Sequence, residues 1–147
     1  MPQYQKAVIK SRVFGYLPFV KSLIQAQEAY YLANGEYAAY FKDLDVTFPE
    51  GCKKQDNTRQ NLIYCDDSVV IDNELSQGLS TGRLNILYCP KSAYSFATCS
   101  SNYYLIMSFY LQHGRELAMR EKMKCVWAGN SLAQQVCDDF NAAYYQE

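Results

Sequence analysis

Residues 2–34 read PQYQKAVIKSRVFGYLPFVKSLIQAQEAYYLAN, and this stretch decides the fold. Apolar side chains recur at Ile9, Val13, Tyr16, Val20, Leu23, Ile24, Tyr30 and Tyr31. Steps of three and four line them along one face of a helix. Lys10, Lys21, Gln25 and Glu28 fall on the opposite face. Gln27 interrupts the apolar stripe. Pro2 suits a first helical turn, and Asn34-Gly35 supplies the stop, because glycine accepts the left-handed cap conformation. Pro18 is the awkward residue, since a proline inside a helix costs about 3 kcal/mol. With Gly15 nearby, a kink or short break is expected between residues 14 and 18.

After Gly35 the helical period is lost. Residues 35–60 read as a connecting loop with one short turn of helix near residues 41–44. Strand-like runs follow at 68–72, 84–89 and 103–111, rich in β-branched and aromatic residues. The pair His113-Gly114 marks a turn. Although residues 116–124 have helix-favouring composition, a strand over 122–127 pairing with 103–111 is preferred. Asn130-Ser131 then caps a short helix ending near Phe140. The result is an α+β order: a long N-terminal helix packed on an antiparallel sheet of about four strands. One domain spans 1–147, with helix at 1–34, loop at 35–60, sheet region at 61–127 and a C-terminal disulfide-bounded segment at 128–147.

Composition narrows the class of function. The chain has 147 residues, 49% of them hydrophobic and 20% charged, enough for one globular domain with a real core. A net charge of −1 gives no general attraction to nucleic acid or anionic membrane. The fourteen tyrosines each join an apolar body to a polar tip, which suits surfaces that pack against other molecules.

Six cysteines, Cys52, Cys65, Cys89, Cys99, Cys125 and Cys137, form no C-x-x-C pair, which argues against a zinc ribbon or redox motif. Their even number suits three disulfides in an oxidising compartment. Fifteen pairings are open to six cysteines. The local set is expected: Cys52 with Cys65, Cys89 with Cys99, and Cys125 with Cys137. Each would close a short loop and stabilise by about 2–4 kcal/mol. No run approaches the roughly 18 apolar residues of a membrane span, and no cleavable leader is evident. Disulfides without an export signal lead us to expect a truncated chain, with Met1 an added start ahead of Pro2.

Three stretches carry a resemblance. Pro2-Gln3-Tyr4-Gln5-Lys6-Ala7-Val8, with Lys10-Ser11-Arg12 behind it, resembles the segment just after the apolar N-terminal helix of type IV pilins and pseudopilins. Gln25-Ala26-Gln27-Glu28-Ala29-Tyr30-Tyr31, then Asn34-Gly35-Glu36-Tyr37 and Asp43-Leu44-Asp45, is similar to the end and exit turn of the long helix in that family. Cys125-Val126-Trp127-Ala128 followed by Val136-Cys137 looks like its C-terminal disulfide region. The likeness covers the first 45 residues and the last 25. In the middle only the order of elements matches. The family's membrane anchor and processing site are absent, Pro18 departs from a smooth helix, and six cysteines exceed the family's usual two.

The resemblance implies a pilin-like fold and a role in assembly. Such subunits are held in the inner membrane by an apolar helix, then stack into a filament whose core is those helices. Partners would be other pilin subunits, the inner membrane through the missing helix, and the pilus or secretion machinery. The location would be inner membrane first, then periplasm, cell surface or extracellular filament. Tyr4, Ala7, Val8 and Ser11 would then be filament-packing residues. Adhesion, motility or DNA uptake would be the outcome for a pilus, and protein export for a type II secretion pseudopilin. A secreted disulfide-rich binding domain is the alternative from another class.

No catalytic residue, cofactor or metal site is expected. His113 is the only histidine and has no nucleophile at a recognised spacing, so it reads as a solvated turn residue. Asp66-Asp67, Asp72 and Glu74 lack the spacing of a calcium loop and read as solvated acids. Lys53, Lys54, Arg59, Lys122 and Lys124 read as ordinary surface charge rather than a DNA-binding patch.

Overall fold

The computed structural model describes residues 2–38, 40–54, 62–65, 68–73, 83–89, 103–113, 122–128 and 131–144, with backbone alone at 2–6, 54, 73 and 143–144. The N-terminal helix is in two pieces, α1 (Pro2–Phe14) and α2 (Leu17–Asn34). The break falls at Gly15 and Tyr16, where the Tyr16 N–H reaches back only three residues to the Val13 carbonyl. A Cβ at Gly15 would stand 2.8 Å from the Ser11 carbonyl oxygen, so this turn needs glycine. Pro18 then lies in the first turn of α2, where backbone N–H groups have no intrahelical acceptor and a missing one costs nothing. The helix ends at Gly35, with φ of 77° and its N–H on the Tyr31 carbonyl.

A short 3-10 turn, Phe41–Asp43, leads into the sheet and buries Phe41. Six strands follow: β1 (Cys52–Lys54), β2 (Leu62–Cys65), β3 (Val69–Asn73), β4 (Arg83–Tyr88), β5 (Leu105–Tyr110) and β6 (Met123–Trp127). They form one sheet in the order β1-β2-β3-β4-β5-β6, antiparallel throughout. The last element is α3 (Ser131–Tyr144).

The expected fold of one long helix on about four strands is therefore corrected. The sheet has six strands, and the added pair is the β1–β2 hairpin. Its first strand lies inside the stretch read as a connecting loop. Three residues, two of them lysines, carry too little apolar pattern to announce a strand. In β2, Leu-Ile-Tyr-Cys does not alternate, because Leu62 and Ile63 are both buried on opposite faces.

Two-sided burial runs through the sheet. On the helix-facing side, Ile63, Ile71, Ile86, Met107 and Cys125 stand in register across five strands. They join one core cluster with Ile9 and Val13 of α1, Phe19, Val20 and Leu23 of α2, and Ala133, Val136 and Phe140 of α3. Burying each such large aliphatic or aromatic side chain stabilises by about 1.5–3 kcal/mol. Phe140 ties the layers together, 5.9 Å from Phe14 and 6.4 Å from Phe109 between ring centres. The opposite face holds a smaller cluster of Leu62, Val70, Leu87 and Cys89. Next to it runs a polar row in register, Asp72, Asn85, Ser108 and Lys124, within which the Ser108 hydroxyl donates to Asn85 Oδ1 at 2.7 Å. A slip by one residue would break this row and expose the core row, so both faces specify the register.

Candidate functional site

Helix α1 turns two different faces outward and inward. Ile9 and Val13 are buried against α3 and the sheet, while Ala7 and Ser11 are exposed and Val8 is half-buried. At 100° per residue, Tyr4, Ala7, Val8 and Ser11 share the face away from Ile9 and Val13. Tyr4 belongs to α1, and its side chain lies outside the described residues. Polar and aromatic contacts also hold the helix to the body. Lys10 Nζ meets Asp139 of α3 at 3.0 Å, the Arg12 guanidinium donates to Ser68 Oγ at 3.3 Å, and Phe14 packs on Phe140. Small side chains such as Ala7 and Ser11 let a second helix approach closely, which larger ones prevent.

Disulfides brace both edges of the sheet. Cys52 and Cys65 are direct register partners across β1 and β2, joined covalently. A second disulfide, Cys125 to Cys137, ties β6 to α3. Cys89 is also disulfide-bonded, and Cys99 lies outside the described residues. Beside the second bridge, the Asn141 side-chain amide engages both backbone groups of Cys125. These contacts close the outer edge of β6, which would otherwise offer free pairing groups. At the far edge, β1 is three residues long and carries Lys53 and Lys54, two features that discourage edge pairing.

A polar junction that sequence reading missed lies where α2 meets the end of β5. Gln27 is fully buried, with its amide donating to the Ala38 carbonyl at 2.8 Å and accepting from the Ala38 N–H at 2.9 Å. The residue that interrupted the apolar stripe thus fastens the exit turn to the helix. A polar side chain in the core stripe, able to donate and accept at once, was the available signal. At the adjacent residues, the Tyr37 hydroxyl donates to Glu28 and accepts from the His113 backbone N–H at 2.9 Å. Burial and the bond to Glu28 push the Tyr37 phenol far above the ordinary tyrosine range, against a smaller opposing effect of the His113 N–H. The His113 ring is exposed, as a turn residue should be, but it stacks on Tyr31 at 4.1 Å and 7°. A cavity of about 210 Å³ adjoins this junction, with Ile24, Phe109, Leu111 and Met123 supplying apolar wall and Glu28 and Lys122 the charge.

The remaining sequence candidates separate in space. Lys53 and Lys54 sit on β1, whereas Lys122 and Lys124 lie at β6, five strand spacings or about 24 Å away. They do not make one basic patch, and Arg59 lies outside the described residues. Asp72 is buried in β3, while Asp66, Asp67 and Glu74 lie outside the described residues. Among the described residues, no group of three or more His, Cys, Asp or Glu side chains could hold a metal ion. Nor is any described helix long and apolar enough to cross a membrane.

Comparison of the chain with protein-family models, with curated proteins and with solved structures finds no match.

Proposed function

We propose that this chain is a structural subunit of a type IV pilus-like extracellular filament, with the outward face of α1 as its packing surface. The observation that carries the reading is the two-sidedness of α1. Its Ile9–Val13 side is buried in the subunit, and its Ala7–Ser11 side is exposed. Small, uncharged side chains at positions 7 and 11 leave room for the backbone of a neighbouring helix. Support also comes from the resemblance of the first 45 residues, and from disulfides that suit a domain working outside the cytoplasm. Partners under this reading are further subunits of the same kind, packed helix against helix. An apolar anchor preceding α1 would hold the subunit in the inner membrane before assembly.

Bulky substitution on the outward face tests the proposal. In cells that make the filament, Ala7→Trp and Ser11→Trp are expected to abolish surface filaments while thermal unfolding of the purified domain stays unchanged. Normal filaments from both variants would overturn the packing role. The gene offers a second test, since an apolar run of about 20 residues is expected just upstream of Pro2. The same surface would serve a secretion pseudopilin driving protein export. Loss of secreted cargo without loss of surface pili would assign the chain to that system.

A further inference from the structure

We propose that Asn34-Gly35 is a site of spontaneous deamidation, and that the end of α2 holds the reaction back. The proposal stands apart from the filament reading, since it rests only on the chemistry and geometry of the helix terminus.

An asparagine followed by glycine is the dipeptide most prone to this reaction. Glycine has no side chain to shield its backbone nitrogen or to restrict the turn that ring closure needs. The Gly35 nitrogen, losing its proton to solvent base, attacks Asn34 Cγ. A nitrogen–Cγ bond forms, the Cγ–Nδ2 bond breaks, and ammonia leaves with a proton from water. The resulting cyclic imide takes up water at either carbonyl. Opening at Cγ leaves an aspartate, while opening at the backbone carbonyl leaves an isoaspartyl linkage. No oxidant, metal or enzyme enters the balance.

Both residues are exposed, so water and base reach the site. In the folded chain, however, both reacting groups are already engaged. The Gly35 N–H is committed to the Tyr31 carbonyl at 2.8 Å. The Asn34 amide donates to the Tyr30 carbonyl at 3.0 Å. Asn34 is the last residue of α2, and its helical backbone is not the conformation in which the nitrogen reaches Cγ. Reaction therefore requires the last helical turn to open, an event that helix ends undergo far more readily than the whole fold.

The product would not re-form this end. An aspartate cannot donate to the Tyr30 carbonyl, and its negative charge sits at the negative end of the helix dipole. An isoaspartyl linkage adds a backbone atom between α2 and Tyr37. Modification is thus directed at the turn that leads into the Gln27–Ala38 and Glu28–Tyr37 contacts, and it would accumulate with the age of the molecule.

The test uses the whole chain with its disulfides formed, incubated at mildly alkaline pH, with modification at residue 34 followed by peptide mapping and mass spectrometry. Denatured in urea, the chain is expected to modify at Asn34 ahead of its other asparagines. In the native state the rate is expected to fall at least about tenfold. Ala33→Gly, an exposed change that weakens the last turn, is expected to raise the native rate by roughly threefold to fivefold and leave the denatured rate unchanged. Absence of modification at Asn34 in the denatured chain would overturn the site. Equal native and denatured rates, or a slow native rate indifferent to Ala33→Gly, would overturn the gating.

Discussion

The side-chain amide of Asn141 pairs with both backbone groups of Cys125, accepting from its N–H and donating to its carbonyl, each at 2.8 Å. A side chain of α3 thus takes the place that a seventh strand would occupy beside β6. The disulfide from the same Cys125 to Cys137 holds α3 near enough to do so. Replacing Asn141 by leucine removes both bonds at a part-buried site. We expect a loss of about 2 kcal/mol in chemical unfolding with the disulfide intact. Unchanged stability would mean that the covalent link alone closes this edge.

Gln27 makes the same kind of two-way contact with Ala38, in a drier setting. Gln27→Leu keeps the volume and the helix propensity but breaks both bonds. The expected cost is about 3 kcal/mol, because two hydrogen bonds in a buried setting are lost. Amide exchange at Ala38 should accelerate more than exchange in β4, which separates a local release of the exit turn from general loosening.

Tyr37 gives the fold an alkaline limit. Its phenol is raised by burial first and by the bond to Glu28 second, so the folded state holds the proton more tightly than the unfolded chain. Stability from this group is complete below the unfolded tyrosine value of about 10. It is lost as pH rises from there toward the folded value. Urea midpoints measured from pH 8 to 11 should be flat at first and then fall. Tyr37→Phe should begin lower, having lost the contacts to Glu28 and His113, but decline less steeply. Parallel declines would assign the alkaline loss to other groups.

The Cys52–Cys65 and Cys125–Cys137 disulfides join residues 13 and 12 apart in sequence. Each is expected to stabilise by about 3 kcal/mol through restriction of the unfolded chain. Replacing the pair Cys52 and Cys65 by serines should cost that much while leaving α3 docked. By contrast, Lys10→Met is expected to cost less than about 1 kcal/mol, since its ion pair with Asp139 is exposed.

Particular residues mark where sequence reading succeeded and where it stopped. The Gly15–Pro18 interval announced a break, because proline and glycine act through the local backbone alone. Gly35 announced the helix end for the same reason. Four of the six strands carried enough β-branched or aromatic residues to be read. The β1–β2 hairpin did not, since Lys53 and Lys54 lie on a three-residue edge strand and Leu62–Cys65 is covered on both faces. Of the disulfides, Cys52 with Cys65 and Cys125 with Cys137 follow the local pairing, although sequence left fifteen arrangements open. At the candidate site, helical period marked Ile9 and Val13 as apolar-face residues, and both are buried, whereas Ala7 and Ser11 were singled out only by resemblance. The partners of Gln27, Tyr37 and His113 were hidden because each contact joins residues from separate elements.

The strand order β1-β2-β3-β4-β5-β6 follows the order of the chain. Every strand pairs only with its neighbours along the chain, so no pairing skips a strand. Lengthening the stretch between two strands alters no pairing elsewhere, and each doubling of such a loop costs only about 0.6 kcal/mol. The sequence between β3 and β4, between β4 and β5, and between β5 and β6 can therefore change in length while every strand pairing stays as it is. Changes of length between strands are thereby uncoupled, by topology, from the pairing that holds the sheet together.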